Sequence, residues 1–262
     1  MMNRLEKKVA VVTGAGGGLG RIYSRRLAAE GADVAAWDLN GPGAEETARL
    51  ISDAGRRGLG LKVDVTREDQ VMAAAKATFD AFGRIDILIN NAGIVRDVPP
   101  APIESISLDE WNRIISVNLT GAFLASKAVV PYMKRSGRGK IINVSSGTAL
   151  HGGSIRLDYI CSKAGVIGLT RALAVMLGPD WINVNVIAPG PVPYTLRDLD
   201  KGATPDEAEA KFPSDLIFAG RHIKREIQPS DLDGLVAFLA SPESDMITGQ
   251  LITVDGGRVF VG

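Results

Sequence analysis

Three side chains that handle protons and hydrogen bonds lie close together in the middle of the chain. Tyr159 and Lys163 are four residues apart in a stretch with helical patterning, so the phenol and the ammonium share one helix face. Ser146 lies thirteen residues before Tyr159, directly after a short apolar run that predicts a strand. A tyrosine and a lysine at this spacing occur by chance in many helices, so the pair alone is weak evidence for a site.

A glycine-rich segment, Thr13–Gly20, follows the first apolar run and precedes a helical stretch. Its pattern is G-x3-G-x-G, formed by Gly14, Gly18 and Gly20, because Leu19 occupies the position at which G-x-G-x-x-G needs its third glycine. Such a turn brings the backbone close to a pyrophosphate at a helix N-terminus. The alternative is a strand–helix turn that binds no ligand.

Asp38 favours the ligand-binding interpretation. It ends the second apolar run, 18 residues after Gly20, where a carboxylate can accept hydrogen bonds from both hydroxyls of an adenosine ribose. The alternative is a solvated strand end. The same carboxylate repels the 2′-phosphate of NADP, and neither the glycine segment nor Leu39 and Asn40 supply a basic residue to bind that phosphate. We therefore predict NAD as the cofactor.

The elements that must position these residues alternate along the chain. Short, mostly β-branched runs predict strands at 9–12, 34–37, 59–63, 85–89, 141–144, 184–187 and 251–254. Helix-length segments lie between them, including Gly20–Glu30, Arg67–Phe82, Leu108–Lys134, Tyr159–Leu177 and Pro229–Ala240. Sustained alternation of this kind is typical of a parallel sheet covered by helices on both faces. We predict an α/β fold, a single doubly wound Rossmann-type domain over residues 1–262 with about seven strands.

The segment Pro191–Gln228 departs from this alternation. It is long, mixes charged and apolar residues, and contains no clear strand. Because a loop of this length in a compact domain is usually functional, we predict a substrate-binding lid over residues 191–228.

Composition excludes several classes of protein. The 262 residues contain 30 Lys+Arg and 30 Asp+Glu, so the basic excess that a nucleic-acid-binding protein needs is absent. The single cysteine cannot form an internal disulfide, which favours a reducing compartment. We see no signal peptide and no uninterrupted apolar stretch of the ~20 residues that a membrane span needs. We therefore expect a cytoplasmic protein that binds neither nucleic acid nor membranes.

Taken together in chain order, these motifs resemble the short-chain dehydrogenase/reductase family in its common form of ~250 residues. The resemblance covers essentially the whole chain. Each motif alone is weak evidence for the family, but eight motifs in the family's order and at its spacing are very specific evidence. They are the glycine turn Thr13–Gly20, Asp64-Val65, Asn90-Asn91-Ala92-Gly93, Asn118, Ser146, Tyr159-Ile160-Cys161-Ser162-Lys163, Pro189-Gly190 and Asp255-Gly256-Gly257.

The resemblance implies that Tyr159 is the general acid/base and that Lys163 holds the nicotinamide ribose. A free phenol has a pKa of ~10, and an ammonium ~4 Å away stabilises a phenolate by ~4 kcal/mol at an effective dielectric of ~20. Lys163 would thereby make Tyr159 effective near neutral pH. By the same resemblance Ser146 hydrogen-bonds the substrate oxygen, and Asn118 holds a water that relays protons from Lys163. In isolation Asn118 fits a satisfied polar residue inside a helix at least as well.

The other matching residues are implied to contact the cofactor. Asp64 and Val65 would bind the adenine, although Asp64 also suits the N-terminus of the helix that follows. The remaining implied contacts are Gly14, Gly18, Leu19, Gly20, Asp38, Asn91, Ala92, Gly93, Pro189, Gly190 and Val192. Family members usually place a threonine four residues after the glycine of the Pro-Gly pair, whereas here Tyr194 stands there and Thr195 is one further on.

The sequence specifies the substrate only loosely. The candidate contacts are Val95, Ser146, Leu150, His151 and Tyr194, a mostly apolar set that suits a medium-sized secondary alcohol or ketone. His151 could equally cap a turn. Arg96 and Arg156 could instead bind the carboxylate of an oxo or hydroxy acid.

Two alternative functions remain open. An NADP-linked 3-oxoacyl reductase shares the motifs but conflicts with Asp38, and a non-catalytic NAD-binding protein could dispense with Tyr159 and Lys163, both of which are present. Enoyl reductases of the family space their tyrosine and lysine further apart. In the family, the helices at 108–134 and 159–177 pair with their copies in a neighbouring subunit, so we expect a homotetramer.

Overall fold

Seven parallel strands form one sheet in the order β3-β2-β1-β4-β5-β6-β7. The computed structural model describes residues 3–94, 101–152, 157–192 and 220–261. The strands are β1 (Val9–Thr13), β2 (Asp33–Asp38), β3 (Gly58–Lys62), β4 (Ile87–Asn90), β5 (Gly139–Val144), β6 (Ile182–Pro189) and β7 (Leu251–Val254). This sheet confirms the predicted doubly wound α/β fold.

Helices connect the strands. They are α1 (Gly18–Ala29), α2 (Gly41–Asp53), α3 (Glu68–Phe82), α4 (Leu108–Ile115), α5 (Gly121–Arg135), α6 (Thr148–His151), α7 (Leu157–Leu177) and α8 (Ser230–Ala240). A π-helical turn, Ser116–Thr120, joins α4 to α5 without a break. Among these, α2 begins with Gly41-Pro42-Gly43. The Asn40 side chain caps α2 by accepting a hydrogen bond from the Gly43 N–H, and proline is tolerated in a first helical turn.

The strands are apolar on both sides because the sheet is covered on both faces. Alternate residues of one strand point to opposite faces, so that Val12 lies in one buried cluster and Val11 in the other. Residues of α1, α2 and α8 complete the first cluster, and residues of α3, α5 and α7 complete the second.

Two helical stretches, Leu108–Arg135 and Leu157–Asp180, are long and apolar enough by composition to cross a membrane. Both contribute side chains to the second buried cluster, including Leu124 from one and Leu177 from the other. Core helices of soluble proteins commonly pass the same test, and neither stretch is an uninterrupted apolar run.

The strand order reverses at β1, which pairs with β2 on one side and with β4 on the other. Ligands of open α/β sheets bind at this reversal, outside the carboxyl ends of the strands. The segments that follow β1, β2, β4, β5, β6 and β7 all meet at that edge. Of the predicted lid, residues 193–219 lie outside the described residues, so the lid and the single-domain boundary 1–262 stay predictions.

Candidate active site

Tyr159 and Lys163 occupy one face of α7, as the spacing predicted. Both are nearly buried, with 7% and 4% of their surface exposed. The Lys163 ammonium lies 6.0 Å from the centroid of the Tyr159 ring. Its Nζ donates a hydrogen bond of 2.9 Å to the backbone carbonyl of Val144, the last residue of β5. Lys163 is therefore fixed at the carboxyl edge of the sheet, with the phenol beside it.

Two serines connect β5 to this helix. Ser145 Oγ donates to the Lys163 carbonyl over 2.7 Å, which fixes the distance between the end of β5 and α7. Ser146 Oγ accepts hydrogen bonds from the hydroxyl and the N–H of Thr148, at 2.9 and 3.3 Å. Because Ser146 accepts in both contacts, its own proton can be directed at a substrate oxygen.

Asn118 lies in the π turn between α4 and α5, a type of irregularity that is frequent at functional sites. Its Oδ1 accepts from the Ile94 N–H at 2.7 Å, and its Nδ2 donates to the Ile94 carbonyl and to Ser162 Oγ. Asn118 thus fixes the segment that follows β4. Its side chain is satisfied as the structural interpretation expects, so a relay water would have to be held by its main chain.

Gly93 marks the place where Asn118 and Lys163 converge. A Cβ on Gly93 would lie 3.3 Å from both Asn118 Oδ1 and Lys163 Nζ. A side chain at residue 93 would therefore crowd the ammonium, which glycine avoids.

The glycine turn has the shape of a phosphate cradle. Gly14 adopts a φ of +65°, and a Cβ there would lie 2.8 Å from Ala92 Cα, while a Cβ on Gly20 would overlap the Gly14 carbonyl oxygen. The side chain of the N-cap residue cannot cap α1, because this residue is Gly17. The N–H groups at a helix N-terminus are donors from which a pyrophosphate can accept hydrogen bonds.

The segment after β4 is attached to this turn. Asn91 Nδ2 donates to the carbonyls of Thr13 and Gly14, both at 3.1 Å. Thr13 Oγ1 in turn accepts from the N–H groups of Asn91 and Ala92. Asn91, Ala92 and Gly93 are thus held at the crevice between β1 and β4, as cofactor contacts require.

Asp38 also belongs to the cradle. Its Oδ2 accepts from the Gly16 N–H over 2.7 Å and its Oδ1 from the Asn40 N–H over 2.8 Å. Each carboxylate oxygen can accept a further hydrogen bond, so the group suits a ribose diol. The sequence places a carboxylate here, and the structure brings it against the glycine turn.

Asp64, by contrast, makes hydrogen bonds to residues that follow it closely in the chain. Its Oδ1 accepts from both the N–H and the hydroxyl of Thr66, and its own N–H donates to Gln70. Asp64 is not the helix cap that the sequence allowed, because α3 begins at Glu68 after the N-cap Arg67 and has no side-chain cap. Val65 is buried against Gly121, the first residue of α5.

The Pro189–Val192 segment continues from β6 at the same edge. The Pro189 carbonyl accepts from the Gly147 N–H, and the Gly190 N–H donates to Val254 at the end of β7. Leu19 and Val192 are partly buried and pack on the first core cluster. The backbone of 189–192 is therefore adjacent to Ser146, where a nicotinamide contact is expected.

A family model described as enoyl-(acyl carrier protein) reductase matches residues 14–258. The chain belongs to the short-chain dehydrogenase/reductase family. This dehydrogenase/reductase is therefore an oxidoreductase that uses a nicotinamide cofactor.

Relatives of this dehydrogenase/reductase act on different substrates. It is 38% identical over 262 residues to 3-oxoacyl-[acyl-carrier-protein] reductase of Thermotoga maritima, covering 98% of this chain and 100% of the relative. It is 38% identical over 255 residues to cis-4-hydroxycyclohexanecarboxylate dehydrogenase of Sinomonas cyclohexanicum, covering 97% and 98%. The crystal structure of carveol dehydrogenase from Mycobacterium avium in complex with NAD superposes with a TM-score of 0.86 at 34% identity, covering 97% of this chain and 98% of that chain.

The substrate side of this dehydrogenase/reductase is described in part. Leu150 is half-buried and packs against the cluster of Val166, Ile167 and Val186. His151 is exposed at the end of α6, and burial lowers its pKa, as does the charge of Arg258. Val95 and Tyr194 lie outside the described residues, as do Arg96, Arg156 and Thr195.

The sequence analysis missed Arg21, which follows the glycine turn directly. Its guanidinium donates to the Gly16 carbonyl over 2.7 Å, to Thr47 Oγ1 over 3.0 Å and to the Gly43 carbonyl over 3.5 Å. Thr47 Oγ1 donates in turn to the Ala15 carbonyl. Arg21 thereby joins the turn to α2. The only signal in the sequence is a basic residue next to Gly20.

The described residues contain no group of three or more His, Cys, Asp or Glu side chains that could hold a metal ion.

Proposed function

We propose that this protein is an NAD-dependent dehydrogenase/reductase that interconverts a secondary alcohol and its ketone, with Tyr159 as the general acid/base. The observation that carries the proposal is the convergence of Tyr159, Lys163 and Ser146 at the carboxyl edge of β5. Tyr159 and Lys163 share one face of α7, and Ser145 ties that helix to Ser146. This arrangement supplies a proton donor, a nearby cation and a hydroxyl that can hold an oxygen.

The residues present fit the cofactor. The glycine turn with Gly14, Gly18 and Gly20 would hold the pyrophosphate, Asp38 the adenosine ribose, and Lys163 the nicotinamide ribose. The backbone of Pro189, Gly190 and Val192 would contact the carboxamide, and Asp64 and Val65 the adenine. When bound, the cofactor accepts a hydride from the alcohol or returns one to the ketone.

The chain's own contribution is control of the proton. During oxidation the alcohol proton passes to Tyr159 Oη, and during reduction Tyr159 Oη returns it to the new alkoxide. The positive charge on Lys163 stabilises the deprotonated phenol, and Ser146 donates a hydrogen bond to the substrate oxygen. Asn118 would hold a water at its main chain, connecting Lys163 to solvent.

A 3-oxoacyl reductase linked to NADP is the second candidate, because the Thermotoga relative has that reductase activity in its name. Asp38 opposes it, since its carboxylate is fixed by Gly16 and Asn40 where a 2′-phosphate would be repelled. A non-catalytic NAD-binding role is opposed by the retention of Tyr159 and Lys163. The names of the other relatives, a cyclic hydroxy acid dehydrogenase and carveol dehydrogenase, support a cyclic alcohol.

The test is to assay the purified protein for NAD reduction with a panel of secondary alcohols and for NADH oxidation with the matching ketones, with NADP and NADPH in parallel. We expect turnover of at least one cyclic alcohol–ketone pair with NAD. Turnover of 3-oxoacyl thioesters with NADPH alone would favour the second candidate, and no turnover of any substrate would favour the non-catalytic role.

We also infer a cytoplasmic homotetramer. Val175, Met176 and Trp181, at the end of α7 and just after it, are at least 64% exposed, and Phe260 in the tail is 80% exposed. Exposed apolar groups of this kind mark contacts. Light scattering at micromolar concentration is expected to give four times the chain mass of 27.7 kDa, and a monomer would contradict the inference.

A further inference from the structure

Three basic side chains that the catalytic scheme does not use lie near the Pro189–Val192 segment. Arg258 follows the turn Asp255-Gly256-Gly257 after β7, Arg221 begins the last segment before α8, and His151 ends α6. We call these three residues the basic cluster. Arg221 and Arg258 carry the positive charge of the cluster, because burial and the charge of Arg258 lower the pKa of His151.

Arg221 is held in the middle of the basic cluster. It is 1% exposed, and a Cβ on Gly256 would lie 2.7 Å from its Cγ and Cδ. Its guanidinium donates to the carbonyls of Arg225 and Pro191, at 2.7 and 3.4 Å. The Pro191 carbonyl belongs to the segment expected to contact nicotinamide, so Arg221 places a positive charge next to that segment.

His151 connects the cluster to the catalytic serine. Its Nε2 lies 4.0 Å from the position of a Cβ on Gly147, the residue after Ser146. A Cβ on Gly147 would also lie 3.5 Å from the Pro189 carbonyl oxygen. The His151 imidazole is therefore close to the segment that carries Ser146.

The Arg258 side chain lies beside Gly220, the residue before Arg221. The carboxylate of Asp255 accepts from the N–H groups of Gly257, Arg258 and Val259, which fixes the turn that carries the side chain. A Cβ on Gly220 would lie 3.7 Å from Arg258 Cγ and 3.9 Å from its Nε. Its charge lowers the pKa of both Arg221 and His151, in each case after burial.

Nearby acids offset part of the charge of the basic cluster. Asp255 and Glu226 act on Arg221, and Asp255 also acts on His151. Within the described part of the chain, however, the Arg258 side chain makes no hydrogen bond or ion pair. Its guanidinium donors therefore suit a bound anion.

We propose that Arg258 binds a carboxylate of the substrate, supported by the adjacent Arg221 and His151, so that the substrate is a hydroxy acid and its oxo acid. This inference rests on the proposed function and names its substrate class. A guanidinium binds a carboxylate with two parallel hydrogen bonds and discriminates strongly against a neutral amide. The carboxylate at Arg258 and the hydroxyl at Ser146 would together orient the carbon that loses hydride.

The test compares two unreactive probes of similar shape, cyclohexanecarboxylate and cyclohexanecarboxamide, by calorimetric titration into the protein saturated with NAD. We expect the acid to bind at least about tenfold more tightly than the amide, which is ~1.4 kcal/mol. Arg258→Gln is expected to remove this difference, and Arg258→Lys to retain part of it. Arg25→Gln, which removes an exposed charge on α1, is the matched control and is expected to retain all of it.

A kinetic comparison accompanies the titration. With 4-hydroxycyclohexanecarboxylate and 4-methylcyclohexanol as paired substrates, Arg258→Gln is expected to raise KM for the acid at least about tenfold. The kinetics of the neutral alcohol should stay within about twofold of the wild type, because it places no charge at Arg258. A structural defect would instead affect both substrates.

Three results would overturn the proposal: equal affinity of the wild type for acid and amide, no measurable binding of the acid at millimolar concentration, or an unchanged preference in Arg258→Gln. Because the probes do not react, the binding difference can be seen even if no alcohol is oxidised. That outcome would refute the proposed dehydrogenase activity and leave the anion site in place.

Discussion

The backbone N–H of Gly16 donates to Oδ2 of Asp38 over 2.7 Å, so the glycine turn and the end of β2 are joined directly. A Cβ on Gly16 would lie 2.8 Å from the Asp38 carboxyl carbon. This contact fixes a negative charge beside the backbone that cradles the pyrophosphate. Both the orientation and the charge of the Asp38 carboxylate therefore influence whether NAD or NADP binds.

Asp38→Ser should narrow the preference between the two cofactors. We expect the wild type to favour NAD over NADP by well over tenfold in kcat/KM, because a buried like-charge contact exceeds ~1.4 kcal/mol. In the variant that ratio should fall at least about tenfold. Asp53→Ser, which removes an exposed carboxylate at the end of α2, is the control and should leave the ratio unchanged. Equal kcat/KM of the wild type with NAD and NADP would show that Asp38 does not discriminate between the two cofactors.

Arg21→Met should weaken cofactor binding without slowing the chemical step. The substitution keeps most of the aliphatic chain and removes the hydrogen bonds to Gly16 and Thr47. These bonds stabilise the conformation of the glycine turn. We therefore expect KM for NAD to rise about tenfold, equivalent to ~1.4 kcal/mol, at nearly constant kcat. Arg21→Lys should be intermediate. A fall in kcat at unchanged KM would place Arg21 in the chemical step instead.

The fold was predictable because its strands carry a local signal. Runs such as Val9–Val12 are buried on both faces and lack polar alternation, which periodicity detects. The start of helix α2 carries a weaker local signal, because it depends on the Asn40 cap and on contacts of Gly43 with the glycine turn. Contacts of this kind join distant segments and leave no periodic trace.

The residues of the candidate site likewise fall into those that the sequence predicts and those that only the tertiary structure brings together. Tyr159, Lys163 and Asp38 were identifiable because spacing along one helix or strand fixes where they lie. The engagement of Asn118 by Ile94 and Ser162 depends on a π turn that has no sequence signature. The basic cluster could not be predicted either, because Arg221, Arg258 and His151 are brought together only by the tertiary fold.

The Asp231→Asn substitution should lower the free energy of unfolding at neutral pH. In acid, the variant and the wild type should be equally stable. The hydrogen bond from Arg225 lowers the pKa of Asp231 from 3.8 to about 2, helped by the Gln228 N–H. A depressed folded-state pKa contributes stability above the unfolded value of 3.8, and this contribution is lost as pH falls through about 2. We expect the variant to cost about 1 kcal/mol at pH 7.

Thermal unfolding of both proteins between pH 7 and pH 2 measures this directly. The two melting curves should converge as the pH approaches about 2. Asp53→Asn breaks a pair in which both side chains are more than half exposed, so it should have a smaller effect. A constant difference between Asp231→Asn and the wild type across this range would contradict the pairing.

The most direct test of the central claim is the kcat of Tyr159→Phe in NAD-linked turnover of the best substrate found. The variant keeps the aromatic ring on α7 and removes only the hydroxyl. We predict a loss of at least ~10²-fold in kcat, with NADH still bound as shown by its fluorescence titration. Near-normal turnover by the variant would contradict the assignment of Tyr159 as the proton donor and acceptor.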